Sequence, residues 1–293
     1  MTDAWTPSRA AYRLTHVLNA YAAAHGTPRF PVDVDILALE AANVFGWSDP
    51  IVELRPAPIR HFEGALFPDE ARQRWSLFYN PTITSPGRIR FTKGHELGHY
   101  LLHRLERASF ECTEQDMLSW SDDIRDIEAQ ADLFASTLLM PLDDFRAQVT
   151  QPVDFDVLSH CANRYGTSLT ATTLRWLDAT EESAVLVVSR DGYMCWAHSS
   201  KRAMSAGAFF RTRASVLAVP DGSLAADARV AYDRYGTQLP ARTWFAHADV
   251  GEPLRELKLS ADQYDWVMSL LILPRHARVW PPWEFGRGPP PQS

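Results

Sequence analysis

The spacing of apolar positions predicts helices throughout the first 180 residues of the chain. They cover residues 8–25, 33–42, 85–105, 126–139, 143–149, 154–164 and 168–178. In the first helix, Tyr12, Val17, Leu18 and Tyr21 fall near one face and are expected to point inward. The fourth helix should end at Pro141, because proline cannot continue a helix.

Strands are predicted by alternating or short continuous apolar runs, most of them late in the chain. They cover residues 62–67, 74–79, 184–188, 193–197, 214–219, 243–248 and 264–273. The first two form a hairpin, and the segment 264–273 fits a helix as well as a strand. Segment 74–79 is either a core-facing strand or an edge on which an extended peptide adds as a further strand. The sequence therefore predicts an α+β protein with a boundary near residue 181.

Composition and charge narrow the function classes. The chain has 293 residues, 46% hydrophobic and 22% charged, which is typical of a globular protein and not of a disordered one. It has no apolar run of about 18 residues and no secretory signal, so no membrane association is expected. Three widely spaced cysteines indicate reduced thiols and a cytoplasmic location. The net charge of −7 argues against direct binding of nucleic acid.

The motif with the clearest chemistry is His95-Glu96-Leu97-Gly98-His99 in the third predicted helix. Residues four apart lie on one helix face, so both imidazoles can bind one metal ion. Glu96, beside these ligands, is the candidate catalytic base that takes a proton from water and passes it to the leaving amine. The alternative to a metal site is a surface helix in which the two histidines and the glutamate occur at this spacing by chance.

A hydrolytic zinc site needs a third protein ligand. Leu102 and Leu105 stand where a metzincin would have Gly and His, so that class is excluded. His103 has turned too far from His95 to be a good ligand, and is expected at the surface or behind the ligands. The acidic candidates are Glu106, Glu111, Glu114, Asp116, Asp122, Asp123, Asp126, Glu128 and Asp132. Glu128 is favoured because it lies in a helical segment with small and apolar neighbours, and Asp132, one turn on, would hold the outer N–H of a ligand His.

Two segments resemble the ImmA/IrrE family of metallopeptidases. Phe91-Thr92-Lys93-Gly94-His95-Glu96-Leu97-Gly98-His99-Tyr100-Leu101-Leu102-His103 is similar to the family's signature helix. The run from Glu128 to Pro141 is similar to its second motif, E-x-x-A-[ND]-x-F-A ending in L-L-M-P. Lys93-Gly94 departs from the pattern, since the family usually has a small or apolar residue and Ala there.

This resemblance implies a domain organisation and an activity. It implies a zincin-like metallopeptidase domain at 1–150, a helix-turn-helix-like segment at 151–181 and a smaller α+β domain similar to GAF sensor domains at 182–279, before a Pro-rich tail at 280–293. The implied activity is zinc-dependent cleavage of a cytoplasmic helix-turn-helix (XRE-type) repressor, which relieves repression under stress. Zinc is the default metal for two His and one carboxylate, and Mn²⁺ is compatible. A small-molecule or nucleic-acid signal would act at the C-terminal domain.

The residues add three expectations of their own. Residues 106–132 carry nine acidic side chains against two arginines, so a basic partner would be attracted there, unless this is only a solvated loop. An oxyanion stabiliser is also needed, and the candidates are Tyr79, Tyr100, His160 and Tyr165. The alternative function is a non-catalytic regulatory protein, an antitoxin-like partner or transcription factor in which the metal site is structural.

Overall fold

The chain folds into two compact units, each combining helices with one β-sheet. The computed structural model describes residues 5–59, 62–106, 110–113, 122–261 and 265–281. The first unit comprises 1–151 and 157–172, and the second comprises 152–156 and 173–293. This mixture confirms the predicted α+β class. The assignment of named domain types to the chain stays a prediction.

A four-stranded sheet forms one layer of the first unit, in the order β1–β3–β2–β4. Its strands are β1 (Ile51–Pro56), β2 (Phe62–Pro68), β3 (Trp75–Tyr79) and β4 (Phe110–Thr113). β1 runs parallel to β3, whereas β2 is antiparallel to both β3 and β4. The cross-strand neighbours Leu66 and Leu77 are both fully buried, so one face of this sheet packs into the core.

In the described part of the first 180 residues, seven α-helices occur at the places that the apolar spacing predicts. They are α1 (Pro7–His25), α2 (Val34–Phe45), α3 (Pro86–His103), α4 (Asp122–Leu139), α5 (Leu142–Gln148), α6 (Phe155–Tyr165) and α7 (Leu169–Ala179). α3 begins where the Ser85 hydroxyl accepts the Arg88 N–H at 3.3 Å, with Pro86 in the first helical turn. It packs on β2, β3 and α4, and every residue from Gly94 to Leu101 is buried. α3 is therefore a central element of its unit.

The second unit contains a five-stranded antiparallel sheet in the order β6–β5–β9–β8–β7. Its strands are β5 (Ser183–Arg190), β6 (Tyr193–Ser199), β7 (Tyr232–Pro240), β8 (Pro253–Ala261) and β9 (Trp266–Leu273). The short helix α8 (Lys201–Ala206) packs on β5. A core of Val185, Val187, Trp244, Phe245 and Leu271 lies on one side of the sheet.

Several predicted strands differ from those observed. Residues 214–219 form no strand and contribute one isolated bridge, from Ala218 to Tyr193. Residues 243–248 were also wrongly predicted as a strand, because they follow from the short 3-10 helix Ala241–Thr243 into turns. The ambiguous segment 264–273 resolves as the strand β9. Strands β1, β4, β7 and β8 were not predicted.

The peptide-binding edge suggested for residues 74–79 is wrong. β3 occupies these residues and lies between β1 and β2, so both of its edges are already hydrogen-bonded. Trp75 and Leu77 are buried, which agrees with the other interpretation, a strand that faces the core. The edges of this sheet are β1 and β4.

The inward face of α1 also differs from the prediction. Tyr12, Val17 and Tyr21 are 52%, 41% and 58% exposed. The buried positions of the helix include Ala10 and Leu14 instead. α1 packs on α4, and small side chains such as Ala10 allow the two helices to approach closely.

Two predicted features lie, wholly or in part, outside the residues that the structure describes. The Pro-rich tail lies there from residue 282 onward, and so do residues 107–109 and 114–121 of the acidic segment. Among the described helices, none has the length and apolar character needed to cross a membrane.

Candidate metal centre

α3 places two imidazoles next to each other in the interior of the first unit. His95 is 8% exposed and His99 is fully buried. Their Nε2 atoms are 2.9 Å apart, because the four-residue spacing places the two rings on one face of the helix. The two nitrogens therefore face one common point.

α4 brings a carboxylate to the same point. Glu128 Oε2 lies 2.9 Å from His95 Nε2, and Oε1 lies 3.4 Å from His99 Nε2. One ligand atom from each of the three residues lies within 4.8 Å of the others, an arrangement that could hold a metal ion. Within the described residues, His95, His99 and Glu128 are the one such group found among His, Cys, Asp and Glu side chains.

Small residues explain how α4 comes near enough to deliver Glu128. A Cβ atom on Gly98 would lie 3.1 Å from Ala131 Cα and 3.0 Å from Phe134 Cδ1. Ala131 and Ala135 are fully buried on the facing side of α4. The alanines in the second motif therefore set the separation of the two helices, and the carboxylate follows from that separation.

Outer hydrogen-bonding partners orient the imidazoles. Asp132 Oδ1 lies 2.9 Å from His95 Nδ1, where it can accept the outer N–H. His99 Nδ1 lies 3.2 Å from His103 Nδ1, and His103 Nε2 lies 3.5 Å from Gln130 Oε1. His103 is 2% exposed, so of the two predicted locations the one behind the ligands is found. Because the Nδ1 atoms are engaged outward, both Nε2 atoms remain directed at the centre.

The protonation states suit a metal ion. Burial lowers the pKa of His99 to about 4, so its imidazole is neutral at pH 7. Burial tends to raise the pKa of Glu128, but hydrogen bonds to His95 and His99 outweigh it and hold this pKa well below its ordinary value. Neutral imidazole and ionised carboxylate are the forms that bind metal. Two nitrogens and one carboxylate oxygen form the donor set of a catalytic zinc site that keeps one open position.

Glu96 is fully buried on α3, directly after the first imidazole. Its side chain lies against β2, where the ideal Cβ position of Gly64 is 2.8 Å from Glu96 Oε1. The side chain of Glu96, the expected base, therefore lies between the backbone of α3 and strand β2.

Three of the four oxyanion candidates are engaged by other groups. The Tyr100 hydroxyl donates to the Asp49 carbonyl at 2.9 Å, and burial raises the pKa of Tyr100. The Tyr165 hydroxyl donates to the Asp144 carboxylate.

His160, the third of these candidates, is exposed, and its Nε2 lies 3.1 Å from Gln148 Oε1. Tyr79, the fourth, is half-buried on β3, directly opposite Gly64 in the register, and its ring centroid lies 4.0 Å from Lys93 Nζ. Of the four candidates, Tyr79 is the one that pairs across the sheet with Gly64, the residue next to the Glu96 carboxylate.

The close contact at Gly64 was not predicted from sequence. For His103, the location behind the ligands was one of two expected, but its contacts with His99 and Gln130 were not predicted. The signal for the first of these contacts is the four-residue spacing of His99 and His103.

One family model matches a part of the chain that contains the candidate centre. Residues 49–177 match the model of the peptidase M78 family, described as the IrrE N-terminal-like domain. This range includes α3, α4 and each residue of the candidate centre. No curated protein matches the chain.

Proposed function

We propose that the protein is a zinc-dependent endopeptidase, because residues 49–177 match the peptidase M78 (IrrE N-terminal-like) family model. Its substrate in this proposal is a specific cytoplasmic DNA-binding repressor of the helix-turn-helix (XRE) type. Cleavage would relieve repression under stress.

The observation that carries the proposal is the convergence of His95, His99 and Glu128 from two separate helices. A merely structural helix gives no reason for three potential ligands to lie within 4.8 Å of one another, with His99 neutral and Glu128 ionised. When bound, zinc would supply a Lewis acid and lower the pKa of a water molecule towards neutrality. Manganese is compatible with the same donors.

The residues of the chain have separate roles in this mechanism. His95, His99 and Glu128 bind the metal, and Asp132 fixes the tautomer of His95. Glu96 takes the proton of the attacking water and later delivers it to the leaving amine, as a general base and then a general acid. Among the oxyanion candidates, we favour Tyr79 because it lies opposite Gly64.

The choice of a repressor as substrate rests on the resemblance to the family and on charge. The segment 106–132 holds nine acidic side chains against Arg107 and Arg125. A DNA-binding face is basic, so such a partner would be steered towards this segment. The rate of encounter should therefore fall as salt rises.

The test compares wild type with Glu96→Gln. The zinc-loaded proteins are incubated with small helix-turn-helix repressors encoded beside this gene, and fragments are identified by mass spectrometry. We expect defined fragments with wild type and none with Glu96→Gln, which should still bind zinc because its three ligands remain. Glu40→Gln, at an exposed position on α2, is the matched control and should cleave normally. Cleavage by Glu96→Gln would show the mechanism to be wrong.

The alternative, a non-catalytic regulatory or DNA-binding protein, is less well supported. The helices α6 and α7 would supply its helix-turn-helix. On α7, however, Arg175 is only 4% exposed, and the one exposed position of this helix is the acidic Asp178. A helix that reads DNA needs exposed basic and polar side chains. DNA affinity that falls steeply with salt would favour this alternative.

We also propose that the second unit senses a signal, a small molecule or a nucleic acid, and controls cleavage. An antiparallel five-stranded sheet with a helix on one face is compatible with the GAF-like domain expected at 182–279. A candidate signal that binds the full zinc-loaded chain and changes its rate of repressor cleavage would support this role. A signal that binds but leaves the rate of cleavage unchanged would contradict it.

A further inference from the structure

Gly64 occupies a position where the backbone does not require glycine. It lies in β2, opposite Tyr79 of β3 on one side and Cys112 of β4 on the other. Its φ angle lies outside the left-handed region, so any L-residue could adopt this conformation. The reason for glycine must therefore be space.

The space that a side chain would need is filled by α3. A Cβ atom on Gly64 would lie 2.6 Å from Thr92 Cγ2, 2.8 Å from Glu96 Oε1 and 3.1 Å from Glu96 Cγ. Non-bonded carbon atoms prefer separations of about 3.5–4.0 Å. The missing side chain therefore leaves the room in which the Glu96 carboxylate lies.

β2 is also held against this face of α3. Thr92 and Glu96 are one turn apart, and Arg88 continues the same row one turn earlier. Arg88 Nε donates to Glu63 Oε2 at 3.2 Å, next to Gly64 in the strand. An added methyl group at Gly64 would therefore meet the Thr92 methyl group and the Glu96 carboxylate together. The carboxylate is the end of a flexible side chain, so we expect Glu96 to be displaced.

We propose that Gly64 is a positioning residue for Glu96: its missing side chain sets where the carboxylate lies when it carries the proton. This inference rests on the proposed peptidase function. It assigns to β2 a part in catalysis that is separate from metal binding, because Gly64 touches none of the three metal ligands among its nearest neighbours.

The first test is Gly64→Ala in the full zinc-loaded chain. We expect kcat for repressor cleavage to fall by about 100-fold, the order found when a catalytic group is misplaced by about 1 Å. KM and zinc affinity, measured by competition with a chromophoric chelator, should change by no more than about 2-fold, because His95, His99 and Glu128 stay in place. An unchanged kcat, or a loss of zinc in parallel with the loss of activity, would overturn the proposal.

Gly94→Ala is the matched control. Gly94 is buried in α3 on the side that faces α4, and its added Cβ would have Ala135 Cβ as nearest neighbour, at an ordinary 3.5 Å. We expect normal kcat and zinc affinity for this variant. A comparable loss at Gly94 would mean that an added methyl group near the centre is harmful whether or not it meets Glu96, which would overturn the proposal.

A stability cycle tests the same contact without any substrate. Gly64→Ala should lower Tm by about 5 °C through overpacking. The penalty should persist in the Glu96→Gln background, which keeps the shape of the side chain, and should shrink in the Glu96→Ala background, which removes the clashing atoms. The contact with Thr92 is present in every arm and cancels. An equal penalty in all backgrounds would contradict the proposal.

The cycle also separates this inference from the proposed function. If wild type cleaves no repressor, the proposed function is wrong. The Tm cycle still decides whether Gly64 determines the position of Glu96. If Gly64→Ala does not fold, the same comparisons are made with Thr92→Ser in every arm, because that change removes the methyl group 2.6 Å away.

Discussion

Each imidazole of the centre has two nitrogens with different partners. The Nε2 atoms of His95 and His99 face Glu128, whereas their Nδ1 atoms face Asp132 and His103. A hydrogen bond at Nδ1 fixes which nitrogen is free to bind a metal and prevents the ring from rotating. Metal affinity in this protein should therefore depend on residues that never touch the metal.

Asp132→Ala tests this dependence. Removing the acceptor at His95 Nδ1 should weaken zinc binding by about 10- to 100-fold, the usual cost of losing such a partner. Chelator competition measures the affinity. Asp126→Ala, at an exposed position of the same helix, serves as the control and should bind zinc as wild type does. Equal affinities for the two variants would contradict an orienting role for Asp132.

The sequence predicted the residues that depend on helix periodicity. His95 and His99 are four apart, as are Glu128 and Asp132, and in both pairs the structure keeps the residues on one face. Gly64 could not be recognised, because its contact with Glu96 joins a strand to a helix more than 30 residues away. Such contacts depend on tertiary packing, which local spacing does not encode.

At the level of elements, the start of α3 determines where its ligands lie. The Ser85 hydroxyl accepts the Arg88 N–H, which satisfies one of the amide groups that a helix leaves unbonded at its first turn. This cap begins the helix that carries His95, Glu96 and His99.

Ser85→Ala should lower the free energy of unfolding by about 1 kcal/mol, the usual cost of losing an N-cap hydroxyl. Urea unfolding followed by circular dichroism measures the change. Ser136→Ala is the comparison, because the Ser136 hydroxyl bonds only to the Leu133 carbonyl of its own helix, and alanine is the better helix former. A larger loss at Ser136 than at Ser85 would argue against the cap.

Helices were predictable and several strands were not, for a reason visible in β8. Leu254, Glu256 and Lys258 alternate along one face of this strand, and all three are buried. Glu256 accepts hydrogen bonds from the Leu224 and Ala225 amides and from Trp244 Nε1. Because two of these buried positions carry charged side chains, the strand lacks the alternation of apolar and polar residues from which a strand is predicted.

β7 was missed for the opposite reason. It is an edge strand with mostly exposed or half-buried positions, and Gly236 interrupts it with a positive φ angle. An edge strand without a buried face has no period-two apolar signal.

On the scale of the whole molecule, a metal ion would link α3 to α4 and favour the folded chain. Ligands that bind only the folded state stabilise it by mass action. At free zinc of about 100 times Kd the gain should be about 2.7 kcal/mol, and Tm should rise accordingly.

Calorimetry with and without zinc measures this shift, and EDTA should reverse it. Glu128→Ala lacks the α4 ligand and should show a much smaller rise. An equal rise for Glu128→Ala would mean that zinc binds elsewhere, and no rise for wild type would mean that the centre binds no zinc.

The burial of α3 on all sides has an evolutionary consequence. From Gly94 to Leu101 no position faces solvent, so no substitution there can be neutral merely by pointing outward. A substitution in this stretch that changes side-chain size would need compensating changes in β2, β3 or α4. Descendants of this chain should therefore diverge first at exposed sites such as the outward face of α1, while these eight residues change slowest, whether or not they touch the metal.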